Sequence, residues 1–174
     1  MKKTVDAFDY AGTVCKELSK GILITTKLDG KVNTMTIGWG HIGIEWGRPI
    51  FVAYVRETRY TKQMLEENGE FTVNVSLGDP DKEIISVCGT KSGRDMDKIA
   101  HLGLTLEDSD TISVPGIKEM PLTLECKVIY KQDQDLSFRD EDKRLRYYKP
   151  GTHDDGDFHT AYYGEVVAAY IIED

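Results

Sequence analysis

The chain lacks the marks of several large protein classes. Its three cysteines, Cys15, Cys88 and Cys126, are odd in number and far apart, with no CxxC pair, which excludes a disulfide framework. At least two of them are expected to be buried, inert thiols. No apolar run is long enough to cross a bilayer as a helix, which excludes a helical membrane protein and predicts no membrane partner. After two lysines, the amino-terminal stretch places Asp6 and Asp9 where a secretion signal needs an apolar core, so the expected compartment is the cytoplasm. No basic stripe is visible and the formal net charge is −8, so nucleic acid is not an expected partner. A small anionic ligand remains compatible, because local positive charge can sit inside an acidic whole. There is no repeat, low-complexity tract or clear linker, and 174 residues suit one domain spanning residues 1–174.

What is present is mostly strand-like. GILITTKL (21–28) and KVNTMTIG (31–38) flank Asp29-Gly30, a strong two-residue hairpin signal. PIFVAYV (49–55) reads as a buried strand from its continuous apolar run. EFTVNVS (70–76), LTLECKVIYK (122–131) and HTAYYGEVVAAYII (159–172) supply further strands, the first two with clean alternation. Short helices are predicted at 13–19, 58–69, 79–89 and 92–103, with Thr58 or Thr61 capping the second and Ser92 the last. Strands dominate, turns are tight and helices are few. That pattern predicts a mainly β, antiparallel barrel rather than strands alternating with crossover helices.

GWGHIG (38–43) fits the dinucleotide fingerprint G-x-G-x-x-G, but the fingerprint has physical content only where it opens a helix. Here Gly47 and Pro49 fall inside the required helix, where proline costs about 3 kcal/mol. A Rossmann site is therefore rejected. Gly38, Gly40, Gly43 and Gly47 instead strip side chains from a stretch holding Trp39 and Trp46. Such a stretch either lets backbone approach something flat or charged, or forms a twisted loop whose tryptophans plug a barrel end or an interface.

Two further segments suit an anion. Arg56-Glu57-Thr58-Arg59-Tyr60-Thr61 runs from a strand end into a helix start, where free amides, two guanidiniums and two hydroxyls can converge on a phosphate. CGTKSGRD (88–95) is glycine-rich and basic, and also precedes a helix. Each could equally be a plain capped loop. HDDGDFH (153–159) is dense in carboxylates and imidazoles, but its spacing matches no calcium or zinc signature, so no metal is expected. His41 and His101 are isolated and read as structural.

Taken together, NTMTIGW (33–39), VRETRYT (55–61), GEFTVNV (69–75), CGTKSGRDMDK (88–98), LECKV (124–128) and HTAYYGEVV (159–167) resemble the flavin reductase-like family of FMN-binding split barrels, which includes the flavoredoxins. The resemblance covers about Gly21 to Tyr170 and rests on order and spacing more than on any one motif. It implies a homodimer of six-stranded antiparallel Greek-key barrels, with FMN at or near the subunit interface. By that resemblance, Asn33, Thr34, Met35, Thr36, Gly38 and Trp39 lie along the flavin ring. Arg56, Thr58, Arg59, Tyr60 and Thr61 hold the phosphate end, Cys88, Gly89, Thr90 and Lys91 flank the flavin, and His159 is the candidate catalytic residue, near where a nicotinamide stacks.

The implied activity is hydride transfer from NADH or NADPH to bound FMN and on to a small-molecule or protein electron acceptor. The cofactor carries the redox chemistry and the protein binds and orients it. The alternative is a flavoredoxin-type electron carrier with little NAD(P)H oxidation of its own. Two departures from the family pattern stand out: residues 132–157 look longer and more charged than expected, and Phe158 precedes His159 where the family often has aspartate.

Overall fold

The structure is a computed structural model describing residues 1–173. Among the described residues ten strands are formed: β1 (Lys2–Thr4), β2 (Ile22–Leu28), β3 (Lys31–Ile37), β4 (Gly40–Glu45), β5 (Arg48–Arg56), β6 (Glu70–Val75), β7 (Leu106–Glu107), β8 (Gly116–Ile117), β9 (Leu122–Asp133) and β10 (His159–Ile172). Five α-helices are interspersed: α1 (Ala11–Leu18), α2 (Tyr60–Asn68), α3 (Lys82–Thr90), α4 (Lys98–Leu102) and α5 (Glu141–Tyr147).

Seven strands pair antiparallel in the order β3-β2-β6-β9-β10-β5-β4, β1 adds to β10 as an eighth, and β7-β8 form a separate ribbon. The sheet curls until β3 nears β5 but leaves them unpaired, so the barrel is split along one seam. The expected mainly β antiparallel architecture is therefore present, with eight strands in the main sheet rather than six. Alternation drives the closure. Ile22 and Ile24 of β2, Met35 and Ile37 of β3, Phe71 and Val73 of β6, and Leu122 and Leu124 of β9 point into one buried core. Among the described residues, no helix is long and apolar enough to cross a membrane.

Asp29 and Gly30 both take positive φ, as the hairpin signal required. The glycine-rich stretch after β3 also forms a strand rather than a loop: β4 pairs with β5 through a second hairpin turned at Trp46 and Gly47, both again at positive φ. Gly40 has a steric reason, since a Cβ there would lie 2.7 Å from the Val52 carbonyl oxygen. Of the fingerprint glycines, Gly40 and Gly43 pair with β5 and Gly38 lies just before β4, so none opens a helix. The helix expected over 92–103 is confined to Lys98–Leu102, because the Asp97 carboxylate accepts from the Ala100 amide and starts the helix there. Ser92 instead accepts the Arg94 amide in a preceding turn.

Candidate functional site

Along the seam of the barrel, β3 faces the β5–α2 corner and the turn between α3 and α4. A cavity of about 150 Å³ lies there. Eleven of the predicted site residues line it: Asn33, Met35, Thr36, Thr58, Arg59, Tyr60, Thr61, Cys88, Gly89, Thr90 and Lys91. A second cavity of about 210 Å³ shares Met35, Thr36 and Arg59 with the first and adds Gly38, Trp39, Arg56 and His159. Segments far apart in sequence thus meet in one continuous cleft. Thr34 lines neither cavity: its side chain is fully buried, and its hydroxyl donates to the Ile24 carbonyl and accepts from Thr25.

The first cavity is cationic. Arg59 caps α2 by backbone alone, and among the described residues its guanidinium makes no hydrogen bond or ion pair. The first amides of α2 have no helical partner by geometry, and the helix start is electropositive. Thr58, one of the two expected caps, is used elsewhere: its amide and hydroxyl each donate to the buried Asp157 carboxylate at 2.9 Å. Lys98, which the sequence reading passed over, is 4% exposed and reaches the Lys91 carbonyl at 3.2 Å. Burial lowers the pKa of Lys98, Cys88 acts against that shift and Arg59 adds to it. Burial likewise pushes the Cys88 thiol up to about 11, with Lys98 opposing, so Cys88 is no thiolate nucleophile near neutrality.

The floor carries an unfilled demand. Asn33 Nδ2 donates to Thr61 Oγ1 at 3.0 Å, while Asn33 Oδ1 is buried with no partner. Gly93 lies directly over that oxygen, where a Cβ would come within 2.0 Å of it. The turn thus packs on Asn33 at a distance that only glycine allows at position 93, and the oxygen beneath it is one of the few buried acceptors left unpaired.

The segment between β9 and β10, the stretch that looked too long and too charged, lines no part of the second cavity but packs behind two residues that do, Arg56 and Trp39. Arg56 holds it in place: the guanidinium donates to the Tyr147 carbonyl at 2.8 Å, the Asp157 carbonyl at 3.3 Å and the Asp154 carboxylate at 3.1 Å, with the Asp157 carboxylate at 3.7 Å. Arg56 and Arg59 therefore diverge. One is committed within the protein; the other is left facing the cleft. Among the described residues, no three His, Cys, Asp or Glu side chains cluster closely enough to share a metal ion.

His159 opens β10 opposite Arg56. Its ring lies 4.6 Å from that of Trp39 at 30°, and Trp39 meets Tyr147 edge-on at 4.8 Å. His159 Nδ1 lies 2.5 Å from the Tyr148 hydroxyl, which is also 3.1 Å from Gln134 Oε1. Burial first, then the Arg56 charge, drive the His159 pKa down to about 4, with Asp157 opposing and Arg59 adding to the decrease. The imidazole is therefore neutral near pH 7 and offers a hydrogen bond rather than a charge. Gly93 and Lys98 lie inside the flagged 88–98 segment and Asp157 inside the acidic 153–159 run, but none of them was named as a site residue, and Tyr148 lay outside every flagged motif.

The flavin reductase like domain family matches residues 18–174. An uncharacterised protein of Archaeoglobus fulgidus is 34% identical over 99 residues, 57% of this chain; the match spans about half, 55%, of that relative's length. Among solved structures, flavoredoxin from Methanosarcina acetivorans superposes with a TM-score of 0.63 at 25% identity, covering 88% of this chain and 68% of that one. The FMN-binding domain of a flavin reductases-like enzyme from Shewanella baltica gives 0.65 at 18% identity, covering 98% and 77%; at that identity the likeness speaks to the fold alone.

Proposed function

We propose that this chain, which belongs to the flavin reductase like domain family, binds FMN in the seam cleft and works as an NAD(P)H-dependent flavin oxidoreductase. The observation that carries the reading is the unpaired Arg59 guanidinium beside the buried Lys98 cation and the uncapped start of α2. A phosphate monoester satisfies all three at once. The cleft also fits the rest of the ligand: Gly93 and Gly89 keep the walls thin, and Met35, Thr36 and Trp39 line a slot suited to a flat ring.

When bound, FMN supplies the capacity to accept hydride from a reduced nicotinamide and to pass electrons on. The residues of this chain bind and orient. Arg59, Lys98, Thr61 and the α2 amides hold the phosphate end. Arg56, expected at that end, acts instead through the β9–β10 segment it secures. His159 stays neutral against Trp39 and needs to move no proton. The assembly fits a homodimer, since Ile44 and Trp46 stand 70% and 71% exposed at the β4–β5 hairpin and give two copies an apolar meeting point.

Purified protein should be yellow with two visible flavin bands, and titration of flavin-free protein should give one FMN per chain. Arg59→Ala should weaken FMN about tenfold, the worth of one charge-assisted hydrogen bond. An unchanged dissociation constant removes Arg59 from the site. The likeness to a flavoredoxin supports a second reading, an electron carrier. Steady oxidation of NADH or NADPH by FMN-loaded protein with an added acceptor favours the enzyme; no turnover with either nucleotide across several acceptors favours the carrier.

A further inference from the structure

A third cavity, of about 650 Å³, lies between α1, the β3–β4 bend and the α5 wall. It joins the FMN cleft through Gly38, Trp39 and Tyr54, which line both. Its size falls in the range of small-molecule sites.

Its wall has the wrong polarity for a helix that merely packs. Lys143, Arg144 and Tyr147 of α5, with its flanking cap residues Asp140 and Tyr148, line the cavity at the spacing of one helical face. In an ordinary surface helix that face is apolar. Here it presents Lys143 and Arg144, while Leu145 is turned away and stands 46% exposed. Arg139 adds a third cation from the turn before α5. Among the described residues, none of these three side chains has an ion-pair or hydrogen-bond partner. Three unpaired cations against one carboxylate, Asp140, mark a positive pocket on a chain of net charge −8. Trp39, Tyr54 and Tyr147 add aromatic rings to the same lining.

We propose that this cavity binds a planar aromatic group joined to an anion, with the ring against Trp39 and Tyr54 and the negative charge on Arg139, Lys143 and Arg144. The site adjoins the proposed flavin cleft and rests on that reading for what the ligand is there to do. Two sources share this chemistry: a nicotinamide dinucleotide, through its phosphates, and a small aromatic carboxylate.

Cys15 provides a reporter. It lines the cavity and is exposed, while Cys88 and Cys126 are buried. Iodoacetamide, a neutral reagent, should alkylate Cys15 alone in the native protein, located by peptide mass. Naphthoate, naphthamide and NADPH are then compared as protectants, with their affinities measured by calorimetry. Naphthoate or NADPH should slow Cys15 alkylation, and the double substitution Lys143→Gln/Arg144→Gln should weaken that probe about tenfold or more while leaving FMN affinity unchanged. Protection by NADPH alone identifies the dinucleotide as the source; protection by naphthoate but not naphthamide identifies the aromatic carboxylate. If neither anion protects Cys15, or if the double substitution leaves probe affinity intact, the proposal is overturned. Probe binding to protein that takes up no FMN would sink the flavin reading and leave this inference standing.

Discussion

Gly93→Ala should weaken FMN binding about a hundredfold while leaving the barrel folded. A Cβ at Gly93 would sit 2.0 Å from Asn33 Oδ1, 2.8 Å from Asn33 Cγ and 3.1 Å from the Tyr60 ring. None of these neighbours moves freely. Asn33 is held by its bond to Thr61, and Lys31 and Arg94 both lie over the Tyr60 ring. Relieving the overlap requires either turning Asn33 away from Thr61 or lifting the turn off the cleft floor. Overpacking of this kind costs about 1–3 kcal/mol, and the upper end corresponds to about a hundredfold in affinity. The loss falls on the ligand because Gly93 lines the cleft and belongs to no strand of the barrel. Gly89→Ala is the control: its Cβ meets Thr36 at 3.4 Å, an ordinary contact, so affinity should change little. Flavin fluorescence titration with thermal unfolding of both variants checks the pair. Equal affinities would mean that the Gly93 turn is not part of the floor.

How much of this was legible beforehand divides along physical lines. Local rules wrote the Asp29-Gly30 hairpin, the alternation of β6 and β9 and the full span of β10. Strand β4 was hidden because two of its six residues, Gly40 and Gly43, are glycine and weaken the apolar alternation, and its turn at Trp46-Gly47 places a bulky residue at positive φ, where short polar residues are the usual signal. Helix α5 was hidden because five of its seven residues are charged and its one leucine, Leu145, is exposed, which leaves no apolar stripe to read. At the site, the segments around Asn33, Arg59 and Cys88 carried their composition openly, and the fold brings them to one cleft. The role of Arg56 was not readable. Charge is written in the sequence, but partners lying 91 to 101 residues away are not. Lys98 reads as one more solvated lysine at a helix start, and only the packing of α4 against β3 buries it.

The same burial that defines the cleft gives His159 a measurable effect on stability. Its pKa falls from 6.5 to about 4 on folding. The unfolded chain therefore takes up a proton at this position before the folded chain does. Its stabilising contribution is fully present above the unfolded value of 6.5 and declines as pH falls toward the folded value of about 4. Over that window the loss is at most about 3 kcal/mol, with a slope approaching 1.4 kcal/mol per pH unit. His159→Gln lacks the titrating group, so urea unfolding of flavin-free protein at a series of pH values should show a shallower decline in the variant. Because the substituted amide would also disturb the contact to Tyr148, the test is the difference in slope and not in absolute stability. Tyr148→Phe removes the same hydrogen bond while keeping the imidazole, and it should retain the steep wild-type slope. Parallel slopes for wild type and His159→Gln would show that the ring is hydrated enough to titrate normally, and the picture of a neutral imidazole packed on Trp39 would fail.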